Sequence, residues 1–545
     1  MWLIHITSKS LELKEFTPPD VPPYAILSHT WENDEITYQE FKNMKIDNGK
    51  AGLIKIQKAC HLARSKDFEY IWVDTCCIDK SSSAELSEAI NSMFEWYRVS
   101  SVCFAHISDL PAGTIDQPST LWRDEENGIC RWFRRGWTLQ ELLAPNNVEF
   151  YDREWNFRGD KKDQQVMQRL SIMTGIRNPH VFLNSDTIME VPVGERMSWA
   201  SQRQTKRPED LAYCLLGIFK VNMPLIYGEG MRAFQRLQEE IIKTTTDRSL
   251  FCWTAKSNEP RYRGLLAESP AEFESYHEAV KLSRMSVGWS SLGSDPEFSV
   301  TNKGIRIDSQ LCYIDKRHER IALRCNIPPD DYAVLIPLQY YRDNVYVRIC
   351  PELIFPLVGT EVKNELIYIA KSVDYRIIRD LGSGSDPILF LNISLHPTAF
   401  KLTGVKGWPA QPYELSSSQK MNDKVTMCIV VFRLTHGGAE AGEFSVICQR
   451  NASARQSLRY VLVALPDTVD ILHRLEGSQE ERNAVIAVLE KLIADGRRMI
   501  QVDYNNRRTS FFISTSGMTD SLYISTDSNN RLDDEIESWF QRINI

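Results

Sequence analysis

One carboxylate carries the clearest chemical signal in this chain. The sequence RWFRRGWTLQELLA over residues 131–144 predicts a helix stopped by Pro145. On that helix Phe133, Trp137 and Glu141 recur every fourth residue and share a face, so the acid interrupts an apolar stripe. Its expected position near the last turn adds a cost, because the macrodipole disfavours negative charge there by about 0.3–1 kcal/mol. A carboxylate kept on such a face points to a task. The alternative is a glutamate paired with Arg134 or Arg135, or solvated at the helix edge.

Further residues with chemical potential cluster at expected strand ends. Ser28-His29-Thr30-Trp31 follows the apolar run Tyr24-Ala25-Ile26-Leu27, and ligands of parallel sheets collect at the carboxyl ends of strands. Trp31 offers a face for stacking on a base, and His29 a hydrogen bond to a phosphate or ribose, with Ser28 beside them. The alternative is a structural turn around a buried tryptophan. Asp74 ends the run Tyr70-Ile71-Trp72-Val73 and is placed to bind ribose hydroxyls, as the acid of dinucleotide folds does, or to cap its own loop. Arg131, Arg134 and Arg135, beside Trp137, suit a pyrophosphate or a solvated face. The adjacent pair Cys76-Cys77 lacks the C-x-x-C spacing of zinc or redox sites and reads as buried structural thiols. With no H-E-x-x-H pair either, no metal site is expected.

The elements that must position these groups alternate in period. Four short apolar runs, at residues 24–28, 70–74, 101–107 and 148–151, are separated by helical patterns. In the first helix Leu53, Ile56, Cys60 and Ala63 lie at helical spacing. The second opens with a capping box, Ser82-x-x-Glu85, and buries Leu86, Ile90, Met93, Phe94 and Tyr97. Such alternation predicts an α/β domain whose parallel sheet is flanked by helices. Residues 161–250 read as helical, with starts at Pro208 and Met231. Beyond about residue 250 period-two alternation takes over, as in Ile321/Leu323/Cys325/Ile327, and predicts a mainly-β sandwich or barrel. One amphipathic helix near residues 480–494 and a short one from Leu532 would interrupt and close it.

Composition sets outer limits. A chain of 545 residues with 43% hydrophobic and 25% charged residues is a folded, multidomain protein. A formal charge of -8 argues against a nucleic-acid partner, which needs a net basic face. The longest apolar run, VTMCIVVF at residues 425–432, is far short of the roughly 20 residues of a membrane span. The first residues lack a signal-peptide pattern, and 12 scattered cysteines are not a disulfide scaffold, so a cytoplasmic location is expected.

Three blocks, YAILSHTW (24–31), YIWVDTCCIDK (70–80) and RWFRRGWTLQELLAP (131–145), resemble the fungal HET (heterokaryon incompatibility) domain family. Residues 196–243 are similar to the segment that follows this domain in vegetative-incompatibility proteins. The resemblance implies a cell-death effector in allorecognition. No G-x-x-x-x-G-K-[ST] loop or WD periodicity is present, so the nucleotide-switch architecture of some relatives is absent from this sequence.

A fainter resemblance, in element order and in Trp137-Thr138-Leu139-Gln140-Glu141-Leu142, is to TIR domains. It implies a TIR/flavodoxin-like sheet, with Glu141 on the catalytic glutamate of NAD cleavage and Trp137 on the neighbouring tryptophan. Thr138, where TIR domains often have cysteine, and His29-Thr30-Trp31 depart from the TIR pattern. The expectation is then a NAD glycohydrolase: Glu141 catalytic; Ser28, His29, Trp31, Asp74, Arg135 and Trp137 binding the substrate; NAD a substrate rather than a resident cofactor. Self-association, or contact with other incompatibility or NLR-like proteins, would accompany activity. The expected units are a TIR-like HET domain over 1–160, a helical extension over 161–250 and a β-rich domain over 251–545, for which sensing or autoinhibition are candidate roles. Two rivals stand beside this reading: a non-enzymatic module that works by assembly or recruitment, and a nucleotide sensor without turnover.

Overall fold

The computed structural model describes residues 1–6, 11–43, 49–112, 121–255, 262–284 and 297–381, the last with gaps at 314–319, 328–331, 350–354 and 357–361, and eight strands between residues 391 and 527. The expected helices near residues 480–494 and from Leu532 lie outside the described residues.

The first sheet holds seven strands: β1 (Trp2–Ile6), β2 (Leu11–Glu15), β3 (Ala25–His29), β4 (Tyr70–Val73), β5 (Val102–His106), β6 (Val148–Tyr151) and β7 (Phe157–Asp160), in the order β2-β1-β4-β3-β5-β6-β7. Strands β4, β3, β5 and β6 run parallel to their neighbours. Every residue of β3 and β5 is buried, as strands covered on both faces must be. The expectation of a parallel sheet needs one correction: β1, β2 and β7 add antiparallel edges. Counted along the chain, the four parallel strands lie 2-1-3-4, so the order reverses at β3, and a ligand crevice belongs at its carboxyl end.

Helices connect these strands: α1 (Tyr38–Lys42), α2 (Ala51–Ser65), α3 (Ser83–Val99) and α4 (Thr138–Leu143). Ser82 Oγ caps α3 by accepting from Glu85 N at 3.3 Å. The returning half of the expected capping box differs, because Glu85 Oε1 accepts from Asp79 N at 2.8 Å and thereby ties down the loop after β4. Ala89, Ile90, Met93, Phe94 and Tyr97 form the buried face of α3.

Six helices follow: α5 (Gln164–Thr174), α6 (His180–Leu183), α7 (Val193–Ser198), α8 (Asp210–Tyr213), α9 (Leu216–Phe219) and α10 (Arg232–Ile242). Here α9 sits so close to α3 that a Cβ on Gly217 would stand 2.1 Å from the Phe94 Cβ, which only glycine permits. The extension is therefore packed directly on the helix that backs the first sheet.

Beyond it, the expected β-rich character holds for the described strands. A second sheet of eight strands is largely antiparallel. Its strands Gly304–Tyr313, Arg320–Ile327, Tyr332–Arg342, Val345–Ile349 and Val362–Ile369 pair in sequence around a ring, closed by the contact of Tyr332–Arg342 with Val345–Ile349. Two four-stranded sheets lie further along the chain. One contiguous apolar cluster runs from Leu3 to Ile369. Arg248 reaches from the end of the helical segment to Ser309 Oγ (2.6 Å), and Arg348 reaches back to the Phe251 carbonyl (3.0 Å).

Candidate active site

The segment expected as one helix over residues 131–144 is two pieces. A single 3-10 turn, Arg131–Arg134, is followed by a break and then by α4. The break is specified by Gly136, whose N–H donates to Gln204 O at 2.9 Å, while Gln204 N donates to Arg134 O at 2.6 Å. A Cβ on Gly136 would meet Thr205 Cγ2 at 2.6 Å and Cys214 Sγ at 3.0 Å. Phe133, Trp137 and Glu141 therefore do not share one helical face, and Glu141 lies in the first turn of α4 rather than near the last turn of a longer helix. Thr138 Oγ1 stitches the break by donating to Arg135 O (2.9 Å) and to Trp132 O, and Arg203 Nη1 donates to the same Arg135 carbonyl at 2.7 Å. The far end of α4 is held by Lys161, fully buried, whose ammonium donates to the carbonyls of Leu142 (3.0 Å) and Pro145.

This construction places Glu141 at 5% exposure under the carboxyl end of β3. Burial first, and the Asp74 charge second, push its carboxyl up to about 8, against the opposing Ser28 and Tyr97 hydrogen bonds and the Arg135 charge. Its neutral form therefore predominates at pH 7 in the free protein.

Asp74 behaves in the opposite way. Burial alone would raise it, but the His29 ring, the Lys80 ammonium and the Trp31 N–H outweigh that and hold it down to about 2. Its Oδ1 lies 2.9 Å from His29 Nε2, and its Oδ2 accepts from Trp31 Nε1 at 2.7 Å. The Trp31 ring carries the Lys80 ammonium 3.6 Å above its centroid. Two of the three carboxyl groups that line one cavity are thus held in opposite protonation states, an arrangement that assigns distinct tasks to each.

The cavity they share measures about 280 Å³. Of the residues singled out from the sequence, His29, Trp31, Asp74, Arg135, Trp137 and Glu141 all line it. Ser28 does not; it lies behind Glu141, donating to Oε2 at 2.5 Å and accepting from Trp132 Nε1 at 2.8 Å. Arg131 turns away to Glu32 and Asp109. Cys76 and Cys77 are buried free thiols.

Sequence reasoning misses one wall entirely. Lys206, Arg207, Asp210 and Tyr227, from the helical segment that follows the first sheet, line one side, and Ile78, Lys80, Leu86, Ile90 and Met93 supply the rest. Tyr227 donates to Asp210 Oδ1 at 3.1 Å and carries the Arg207 guanidinium over its ring at 4.5 Å. The only advance signal is the run Lys206-Arg207-Pro208-Glu209-Asp210, whose charge density also fits an ordinary exposed loop. Among the described residues no cluster of acids, histidines and cysteines has metal-binding geometry, and no helix is long and apolar enough to cross a membrane.

Residues 24–128 match the family model described as heterokaryon incompatibility protein (HET). This chain carries a HET domain. Residues 232–263 match a second family model, described as a domain of unknown function, DUF8212. Vegetative incompatibility protein HET-E-1 of Podospora anserina is 44% identical over 236 residues, which cover 42% of this chain and 17% of that relative. The chain thus aligns with only a small part of the relative's length. No solved structure matches it. The residues that match the HET family model include His29, Trp31, Asp74 and Lys80 of the cavity, whereas Arg135, Trp137, Glu141 and the Lys206–Tyr227 wall come from residues beyond the match.

Proposed function

We propose that the HET domain cleaves the N-glycosidic bond of NAD or a related nucleotide, and that this chain is a cell-death effector of fungal heterokaryon incompatibility. The observation that carries the enzymatic half is Glu141: a single carboxyl, nearly dry, at the floor of a nucleoside-sized cavity with tryptophans at its side. A volume of about 280 Å³ falls just below the roughly 300–1,000 Å³ of ligand pockets. It suits one nucleoside unit, with the remainder of a dinucleotide in the mouth. The similarity to HET-E-1 supports the incompatibility role. The TIR-like reading rests on the Trp137–Leu142 segment and on the strand order of the first sheet.

The chemistry needs little machinery. The C1′–N bond breaks with its electron pair leaving on nicotinamide, which departs neutral and requires no proton. The ribosyl group left behind has oxocarbenium character, and an adjacent carboxylate stabilises it while accepting bonds from ribose hydroxyls. Water adds to C1′, and its proton passes to Glu141 or solvent, giving nicotinamide and ADP-ribose. A bound pyridinium cation favours ionised Glu141, so substrate itself draws the carboxyl from its neutral resting form toward the active one. Asp74 keeps its charge throughout, orienting His29 and Trp31. Self-association would then act on an already formed cavity.

The neutral resting state of Glu141 favours one second reading, a sensor that binds a nucleotide without turning it over. Induced expression in fungal hyphae tests both. The glycohydrolase reading expects cellular NAD to fall before growth stops, with neither change in Glu141→Gln. Death at constant NAD contradicts it and favours the sensor.

A further inference from the structure

The mouth of the cavity carries four cationic side chains, Lys80, Arg135, Lys206 and Arg207, drawn from three separate segments of the chain. Among the described residues none of the four makes an ion pair with a carboxylate. Two are instead parked on aromatic faces, Lys80 over Trp31 and Arg207 over Tyr227. Elsewhere the protein pairs its cations readily, as in Lys55 with Glu35, Arg236 with Glu229 and Arg263 with Glu272. The acids that face this mouth are few. Asp74 is committed to His29 and Trp31, and Asp210 accepts from Tyr227. Four positive side chains thus face two acids, Asp74, which feels the Lys80 charge, and Asp210, which feels that of Arg207, without an ion pair forming in either case, around a hollow whose floor is Glu141 with Ile78, Ile90 and Met93.

We propose that these four side chains form a cradle for a diphosphate, so that the ligand class of the site is a nucleoside diphosphate or dinucleotide rather than a nucleoside or a monophosphate. The inference deepens the glycohydrolase reading, yet it concerns binding alone. Two adjacent phosphates supply the negative charge that the two flanking acids do not. Arginine offers planar, bidentate donors to phosphate oxygens, and lysine adds point charges. The polarity of the hollow fits the same orientation: sugar and ring toward the apolar, acidic floor, diphosphate at the cationic rim. It follows that the helical extension is part of the binding site. Lys206 and Arg207 lie two and three residues after Gln204, whose N–H donates to the Arg134 carbonyl and whose carbonyl accepts from Gly136 N–H, anchoring this segment at the mouth.

The test is calorimetric binding to the full chain, with inorganic pyrophosphate, ADP, AMP and adenosine as probes. The cradle predicts that pyrophosphate and ADP bind, that AMP binds more weakly and that adenosine binds weakest. In Lys206→Ala/Arg207→Ala, a change on exposed positions, pyrophosphate affinity should fall about tenfold or more, as loss of charged hydrogen bonds implies. Lys58→Glu, an exposed change on α2, serves as the charge control and should leave it intact. Added salt should weaken binding of the two diphosphates and spare adenosine. Equal affinity for ADP and adenosine, or pyrophosphate binding unchanged in the double variant, overturns the proposal. The two readings fail separately. Intact ADP binding with no NAD cleavage defeats the glycohydrolase and leaves the cradle, whereas NAD cleavage with an unchanged KM in the double variant defeats the cradle alone.

Discussion

The Ser28 hydroxyl donates to Glu141 Oε2 at 2.5 Å across 113 residues of sequence. Ser28 is itself held by the Trp132 indole N–H at 2.8 Å, so the acid is aimed by a fixed donor chain rooted in β3. A hydrogen bond to the charged form lowers a carboxyl pKa, while burial and a like charge raise it. Ser28 and Asp74 therefore pull the Glu141 titration in opposite directions.

That opposition is measurable. If ionised Glu141 is required, kcat/KM for NAD rises with pH and levels off above about 8. Ser28→Ala should move the midpoint to higher pH, because the favourable bond is gone. Asp74→Asn should move it to lower pH, because the repelling charge is gone. Changes in the same direction for both variants would break the electrostatic reading.

Stability should show the cost of keeping this acid buried. The folded-state value, about 8, lies above the ordinary 4.5, so the contribution is fully present below pH 4.5 and is lost as pH rises through 8. Glu141→Gln removes that loss. Each tenfold difference in proton affinity between folded and unfolded chains is worth roughly 1.4 kcal/mol. At pH 9 the variant should therefore be more stable than the parent by up to about 5 kcal/mol, and nearly equal to it at pH 5. Denaturant titrations at the two pH values check this.

Lys161→Met removes the donors that close the end of α4. Each buried carbonyl left without a partner costs about 1–3 kcal/mol, so the melting temperature should drop by several degrees. Burial lowers this amine to about 7, well under its ordinary 10.5. The buried charge therefore penalises the parent fully below pH 7, and the penalty is relieved as pH rises from 7 toward 10.5. The loss on mutation should accordingly be smaller at pH 6 than at pH 8.

Gly136→Ala should destabilise by about 1–3 kcal/mol through overpacking against Thr205 and Cys214. Because Arg135 and Trp137 flank that glycine, NAD cleavage should fall more than thermal stability alone explains. Activity that simply tracks the folded fraction would contradict a positioning role for the break.

The parallel strands are legible in the sequence because continuous apolar runs such as Ala25–His29 and Val102–His106 have few other stable uses. The antiparallel edges are not. Phe157–Asp160 has one apolar side chain and becomes a strand only because β6 offers a free edge. Glu141 stands out in the sequence through a helical stripe that does not exist, since tertiary pairing of Gly136 with Gln204 overrides the local pattern. Its burial comes instead from β3 and α3. Lys206, Arg207, Asp210 and Tyr227 are illegible as site residues because nothing local marks a loop that folds back some 70 residues to meet Arg135. Ser28 belongs to the right cluster, but its buried position behind the acid depends on a contact 113 residues away.

If Glu141 drives cleavage of an N-glycosidic bond, the decisive experiment is nicotinamide release from NAD by the purified full chain at pH 8, with Glu141→Gln in parallel. We expect one nicotinamide per ADP-ribose formed, and a rate reduced about 10²–10³-fold in the variant, the size of a lost preorganised electrostatic contact. Equal release by parent and variant, or no release from a parent that binds NAD, would overturn the glycohydrolase.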